Sequence, residues 1–132
     1  MNTWHSVHGP EGQLLFDRMR FARSSSSRLR GLLGRRSLPA GEGLAIRANS
    51  IHLFFMRMPL DIVFCDADME IVRIFPDVRP WRTAVARQAR YAFEVGPGEA
   101  ERLGLREGMP LKVEPAFERR ARRVALSPLT KA

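Results

Sequence analysis

The chain has 132 residues and a formal net charge of +8, and 45% of its residues are hydrophobic. This length and composition indicate one globular domain with its own core, and they exclude a disordered or fibrous protein. Because Cys65 is the only cysteine, an internal disulfide is excluded, and no zinc site is indicated. We expect no metal and no cofactor.

The expected cellular location follows from what the sequence lacks. The first ten residues have no basic start followed by an apolar core, which argues against a secretory leader. No apolar run is long enough to cross a membrane. We therefore expect a cytoplasmic protein without a membrane span.

The positive charge is concentrated at the C-terminus. Residues 116 to 132 hold five basic side chains against the single acid Glu118, and so carry half of the net charge. Such blocks of like charge are typical of tails outside a folded domain. We predict a loose N-terminus at residues 1 to 12, one folded domain at 13 to 115 and a basic tail at 116 to 132.

The first predicted element is a strand from Gln13 to Phe21, where apolar and polar residues alternate imperfectly. Ser27 then fits the N-cap of a short helix that runs to Leu33. The segment SLPAGEG, residues 37 to 43, is rich in turn-forming residues. It leads into a brief apolar strand at Leu44 to Ile46.

The densest apolar stretch, SIHLFFMRMPLDIVFCD, lies at residues 50 to 66. Since Pro59 has no N–H to donate, we expect two strand pieces, Ser50 to Met58 and Leu60 to Cys65, that meet at a bend or a sheet edge. The second piece is apolar on both faces. Glu70 to Phe75 follows a turn and is predicted to pair with it as a hairpin.

The last third of the domain contains further short elements. Residues 76 to 90 hold two prolines and are expected to be irregular, with a helical turn at Thr83 to Gln88. A strand at Tyr91 to Val95, a helix at Glu99 to Leu103 and a strand at Leu111 to Val113 complete the prediction. This pattern indicates a mainly β fold, a β-sandwich or barrel of short strands with two or three short helices.

Three unlike segments follow one another along the chain: RLRGLLGRRSLPAGEGL, SIHLFFMRMPLDIVFCDADMEIVRI and ARYAFEVGPGEAERLGLREGMPL. Together they resemble, in order and spacing, the signature blocks of DUF192, a widespread uncharacterised prokaryotic family. The resemblance implies a jelly-roll-like β-sandwich and no established activity. Carried over position by position, it marks Arg30, Gly31, Gly43, His52, Met56, Arg57, Pro59, Asp61, Glu94 and Gly98.

The chain departs from the family pattern at two positions. The family commonly has Gly after the acidic residues of the hairpin turn, where this chain has Met69. It commonly has Asp after the late Gly, where this chain has Met109. The second departure removes a carboxylate, so the resemblance does not extend to any role of that acid.

Arg57 and Asp61 are charged residues inside the apolar stretch. An isolated buried charge is very costly, so we expect them either to pair or to face a cavity. The favoured interpretation is an internal pair that fixes the bend at Pro59. In the alternative, the guanidinium binds the carboxylate or phosphate of a ligand. For His52, which has no second histidine nearby, a hydrogen-bonded structural role is favoured over metal binding.

The leading functional hypothesis is a non-catalytic module that binds a small anionic ligand or a protein partner. Its site is predicted at a polar cluster of His52, Arg57 and Asp61, extended by Glu94 and Arg30. No nucleophile elbow, Walker loop or HExxH motif occurs in the sequence. A hydrolase or lyase that uses His52 with Asp61 or Glu94 is therefore the least favoured hypothesis.

A nucleic-acid-binding role is the second hypothesis. An exposed tryptophan among arginines can stack on a base, although a tryptophan that folds back onto the core is more frequent. Arginine-rich tails bind phosphates by releasing counterions. The residues predicted for this role are Arg79, Trp81, Arg82, Arg119, Arg120, Arg122 and Arg123.

Overall fold

The computed structural model describes residues 4 to 115, and the tail at 116 to 132, with its four predicted nucleic-acid-binding arginines, lies outside these residues. The described chain contains nine strands and two short helices, neither of which is long and apolar enough to cross a membrane. In chain order the elements are β1 (Trp4–His8), β2 (Leu14–Ala22), α1 (Ser25–Leu32), β3 (Glu42–Ile46), β4 (Ser50–His52), β5 (Leu60–Cys65), β6 (Ile71–Val78), β7 (Thr83–Val85), β8 (Tyr91–Val95), α2 (Glu99–Arg102) and β9 (Lys112–Pro115).

Seven strands form one mixed sheet in the order β6-β5-β8-β3-β2-β1-β9, and β4 and β7 form a separate antiparallel pair. Within the large sheet β2 and β3 are parallel. A parallel pair requires a crossover connection, and α1 lies in that connection. The predicted mainly β class with short helices is confirmed. The sheet does not close into a barrel, because its edge strands β6 and β9 do not pair with each other. The residues just before them are joined by a bridge between Glu70 and Pro110 and by hydrogen bonds such as that from the Leu111 N–H to the Met69 carbonyl at 2.9 Å.

Strand β5 is buried along its whole length and supplies side chains to two cores. Successive side chains of a strand point to opposite faces of the sheet. Ile62 therefore packs with Leu32 of α1 and Ile51 of β4 on one face, and Val63 packs into the other core. The prediction that this strand is apolar on both faces is confirmed. The small sheet packs against this first core, to which it contributes Ile51 of β4 and Ala84 of β7.

The N-cap of α1 is Ser24, so the prediction of Ser27 is wrong by one turn. The Ser27 N–H donates to Oγ of Ser24 at 3.2 Å. In return, the Ser24 N–H donates to Oγ of Ser27 at 3.1 Å. This capping box satisfies two N–H groups at the helix start. The serine run thus begins the helix rather than preceding it.

Residues 4 to 8, predicted to belong to a loose N-terminus, form β1. This strand pairs with β2 on one side and with β9 on the other, and Val7 is completely buried. The local sequence WHSVH is short and half polar, so it carries little strand signal by itself. Its partners come from both ends of the domain, and tertiary pairing decides its conformation.

The predictions for the two segments that form the small sheet also need correction. The helical turn predicted at Thr83 to Gln88 is wrong, because Thr83–Val85 form β7. The strand predicted from Ser50 to Met58 ends at His52, where the chain turns. Each of these strands has three residues, too few for a period to show. Pairing with the other strand and burial of Ile51 fix them instead.

Candidate functional site

Arg57 and Asp61 do not meet, so the predicted internal pair between them is wrong. Asp61 is 1% exposed, and its carboxylate accepts hydrogen bonds from the N–H groups of Asp77 at 2.8 Å, Gly98 at 3.0 Å and Ala100 at 3.0 Å. Three backbone donors satisfy this buried charge without a cation. Asp61 thereby ties β5 to β6 and to the start of α2. Arg57 is exposed and forms no ion pair within residues 4 to 115.

The buried ion pair of this fold joins Arg28 of α1 to Glu94 of β8. Arg28 is 3% exposed and Glu94 is fully buried. Nε of Arg28 lies 2.5 Å from Oε2 of Glu94, and Nη2 lies 2.6 Å from Oε1. Burial raises the pKa of the Glu94 carboxyl, and the guanidinium of Arg28 acts in the opposite direction. A matched fork of this kind is the arrangement that best compensates two buried charges.

Arg28 also connects this pair to the small sheet. Its Nη2 donates to the carbonyl oxygen of His52 at 2.9 Å, so one guanidinium links α1, β8 and the end of β4. Arg28 was not among the predicted site residues, whereas Arg30, which was, is exposed. The signal that could have found Arg28 is helical spacing. Arg28 lies four residues before the buried Leu32 and therefore on the same face of α1.

Four aromatic side chains form a cluster just beyond the end of β4, which we call the aromatic surface: His52, Phe54, Phe55 and Trp81. The rings of His52 and Phe54 stack with centroids 4.4 Å apart and an angle of 22°. Those of Phe54 and Trp81 stack at 5.9 Å and 27°. Phe55 is tilted against Trp81 at 4.8 Å. Trp81 is 58% exposed, so the buried outcome that was the more frequent expectation for it is not found.

The aromatic surface is open to solvent. Phe54 is 38% exposed, Phe55 67% and Trp81 58%. Single exposed apolar residues are ordinary on protein surfaces, whereas contiguous ones mark sites of interaction. Clustering of three large exposed rings is therefore the feature that requires a functional explanation.

Two loops hold the aromatic surface, and each is hydrogen-bonded to the other. The N–H of Leu53 donates to the carbonyl of Arg82 at 2.9 Å, and the N–H of Trp81 donates to the carbonyl of Leu53 at 2.7 Å. Leu53 is completely buried and anchors both loops. Phe55 and Trp81 have φ angles of 67° and 72°. This left-handed conformation is costly for a bulky residue, and Met69 and Asp77 share it elsewhere in the chain.

The surroundings of the aromatic surface are strongly basic. Residues 47 to 58 and 79 to 90, which we call the β4–β7 unit, contain six arginines and no aspartate or glutamate. All six arginines are exposed. Arg79 pairs with Asp77 at 3.2 Å, and the other five form no ion pair within residues 4 to 115. The six arginines are Arg47, Arg57, Arg79, Arg82, Arg87 and Arg90.

The remaining predicted site residues fall into two groups. His52 is half-buried and Arg57 is exposed, and Nδ1 of His52 accepts a long hydrogen bond of 3.4 Å from the N–H of Phe54. Asp61 and Glu94 are buried and bound by other groups. No cluster of three or more His, Cys, Asp or Glu side chains suited to a metal occurs in the described part of the chain. The carboxylates of Asp61 and Glu94 are thus occupied within the protein, and a ligand site made of the five residues stays a prediction.

The sequence is similar to those of known proteins. The sequence pattern of DUF192, described as "Uncharacterized ACR", matches residues 7 to 113. A UPF0127 protein from Thermococcus sibiricus is 36% identical over 73 residues, which are 54% of this chain and 47% of that protein. The match thus spans about half the length of that relative.

Two solved structures have a similar fold. A protein of unknown function from Novosphingobium aromaticivorans superimposes with a TM-score of 0.70 at 26% identity, over 84% of both chains. A protein from Sinorhizobium meliloti described as a "putative transcription regulator" superimposes with a TM-score of 0.73 at 21% identity, over 86% of this chain and 94% of that one. The second likeness concerns the fold alone.

Proposed function

Since the chain belongs to the DUF192 family, described as uncharacterised, we propose its function from its own geometry: it is a non-catalytic binding module whose ligand lies on the aromatic surface. The observation that carries this proposal is the exposed cluster of Phe54, Phe55 and Trp81. A surface of stacked rings offers a large, rigid contact area at a low entropic cost.

The backbone conformation supports the proposal, because the residues that carry the exposed rings are held in an energetically unfavourable conformation. A residue held in the left-handed region costs on the order of 1–3 kcal/mol. Phe55 and Trp81 are both held there, in apposed loops. Because strained residues cluster at ligand sites, two of them in facing loops support the presentation of these rings to a ligand.

The buried polar residues take supporting roles in this proposal. Asp61 and Glu94 leave the ligand set, because their carboxylates are already bound by backbone N–H groups and by Arg28. Arg28 holds the carbonyl of His52 and so positions the start of the aromatic surface. His52 and Arg57 remain candidate ligand contacts.

The experiment is a melting-temperature screen with nucleotides, sugar phosphates, dicarboxylates and polyanions. We expect at least one class to raise the melting temperature of the wild type in a saturable way, and the Phe55→Ser/Trp81→Ser variant to lose that response. Leu14→Ser/Leu33→Ser is the matched control, since both leucines are about half exposed elsewhere. The proposal fails if no class produces a response, or if both double variants lose it equally.

A further inference from the structure

We propose that the ligand is a single-stranded nucleic acid, whose bases stack on the aromatic surface while its phosphates contact the arginines of the β4–β7 unit. This inference rests on the proposed function of the same surface and names its ligand class. Strands of this kind are bound by a combination of aromatic platforms and cationic side chains. Both components lie here on two short segments of chain.

The β4–β7 unit is strongly positive. The β4–β7 unit carries six exposed arginines and no acid within its two segments. Only Arg79 among them is paired in the described chain, with Asp77 from outside the unit. Unpaired guanidinium groups bind phosphate by their fork of donors and also stack on bases. The unit is therefore complementary to a polyanion with planar groups.

The outward face of the strand pair β4 and β7 carries polar side chains. Ile51 and Ala84 point into the core, so the opposite face carries two cross-strand pairs, His52 with Thr83 and Ser50 with Val85. Val85 is 48% exposed and is the one apolar residue among these four. Hydroxyl and imidazole groups beside exposed rings can bond to base edges and phosphates. An anionic membrane surface would be better matched by a continuous apolar face. The mixed face favours nucleic acid.

The shape of the aromatic surface leaves ring area free for further stacking. Phe55 and Trp81 are the most exposed of its rings, and they stand at 59° to one another rather than in a closed stack. Each thus keeps ring area for contact with a base. Stacking of this kind tolerates any base sequence, because every base has a π-face. We expect binding with weak sequence preference.

The test is fluorescence anisotropy of labelled poly-dT and poly-rU strands of about 12 nucleotides, with the full chain. A duplex of equal length is the comparison ligand. We expect the single strands to bind at least about tenfold tighter than the duplex, because only unpaired bases can stack. Phe55→Ser/Trp81→Ser should weaken single-strand binding by about tenfold or more. The far-UV circular dichroism of each variant verifies its fold.

Charge variants separate a specific surface from general attraction. Arg57→Gln/Arg82→Gln should weaken binding and flatten the dependence of log affinity on log salt by about one unit per arginine. Arg36→Gln/Arg106→Gln removes the same charge from exposed positions outside the unit and should have little effect. Equal losses of affinity in both pairs of variants would overturn the inference. So would an affinity that falls only when residues 116 to 132 are deleted.

The remaining outcomes distinguish this inference from the proposed function. Vesicles containing phosphatidylserine and a polyglutamate peptide are titrated in parallel. If either binds through Phe55 and Trp81 while the oligonucleotides do not, the nucleic-acid inference is wrong and the binding module stands. If neither these probes nor the screened compounds bind, both proposals fail.

Discussion

Arg28 and Glu94 form a two-point ion pair almost completely shielded from water, although 66 positions separate them in the chain. The pair joins α1, the longer helix of the described chain, to β8, an inner strand of the large sheet. Its guanidinium also reaches the His52 carbonyl. Stability and the placement of the aromatic surface therefore depend on the same contact.

Removal of one partner of this pair should be costly. Arg28→Met leaves the Glu94 carboxylate buried without a cation, and we expect a loss of about 3–5 kcal/mol in the free energy of unfolding. Arg28→Met/Glu94→Met removes both charges and should cost clearly less than the two single variants added together. Urea denaturation measures all three. Additive losses would contradict a coupled pair.

Asp61 and Arg57 should differ in their contributions to stability. Asp61→Asn loses the charge from a group that accepts three backbone hydrogen bonds, and it should destabilise the fold by about 2–4 kcal/mol. Arg57→Gln changes an exposed side chain and should stay within about 0.5 kcal/mol of the wild type. Thermal and urea unfolding compare the two. Equal losses of stability in the two variants would contradict these separate roles of Asp61 and Arg57.

The thiol of Cys65 should be inert in the folded protein. Burial raises the pKa of this thiol to about 12, with a smaller contribution from Asp66, and the side chain is fully buried. Since the thiolate is the reactive form, we expect no reaction with a thiol reagent at about pH 8 and complete reaction in denaturant. A fast reaction of the native protein would show that β5 opens readily.

Glu42 should contribute a pH-dependent part of the stability. A hydrogen bond from Arg35 holds the pKa of the Glu42 carboxyl below its usual range. The folded state therefore favours the carboxylate, and its contribution is present above the unfolded pKa of about 4.3 and lost as the pH falls through the lower folded value. We expect Glu42→Gln to be less stable than wild type by up to about 1 kcal/mol at neutral pH.

The difference in the free energy of unfolding between wild type and Glu42→Gln should narrow as the pH falls below about 4. Protonation of Glu42 then removes the charge that the substitution has already removed. Glu107→Gln is the control, since Glu107 is exposed and forms no ion pair in the described chain. Urea titrations at several pH values measure the gap for both variants. A gap for Glu42→Gln that stays constant down to acidic pH would contradict this account.

The sequence predicts elements that have a clear period of their own. Strand β5, apolar on both faces, and the short helix α2 were foreseen because their signals are local. Strand β1 and strand β7 were missed, because partners distant in the chain fix them. For the candidate site, the arginines around Trp81 indicated a nucleic-acid contact in the sequence, which stays a prediction. The pairing of Arg28 with Glu94 could not be predicted, because it arises only once α1 lies on the sheet.

Met69 illustrates how a departure in sequence becomes visible in the backbone. It occupies the hairpin-turn position where the resemblance predicts glycine, and its φ angle is 63°, a conformation that glycine adopts without cost. The hairpin keeps its shape because the Met69 N–H bonds to the carbonyl of Asp66 at 3.1 Å. The turn geometry therefore persists although the residue that favours it is replaced.

The two loops of the aromatic surface exchange backbone hydrogen bonds through Leu53, so neither can be redesigned alone. The two segments, residues 50 to 58 and 79 to 85, also supply Ile51, Leu53, Met56, Met58 and Ala84 to the core. A graft into another member of the family would therefore have to move both segments together with the core residues that they contact. A graft of one segment would leave Leu53 without its hydrogen-bond partners and should destabilise the recipient.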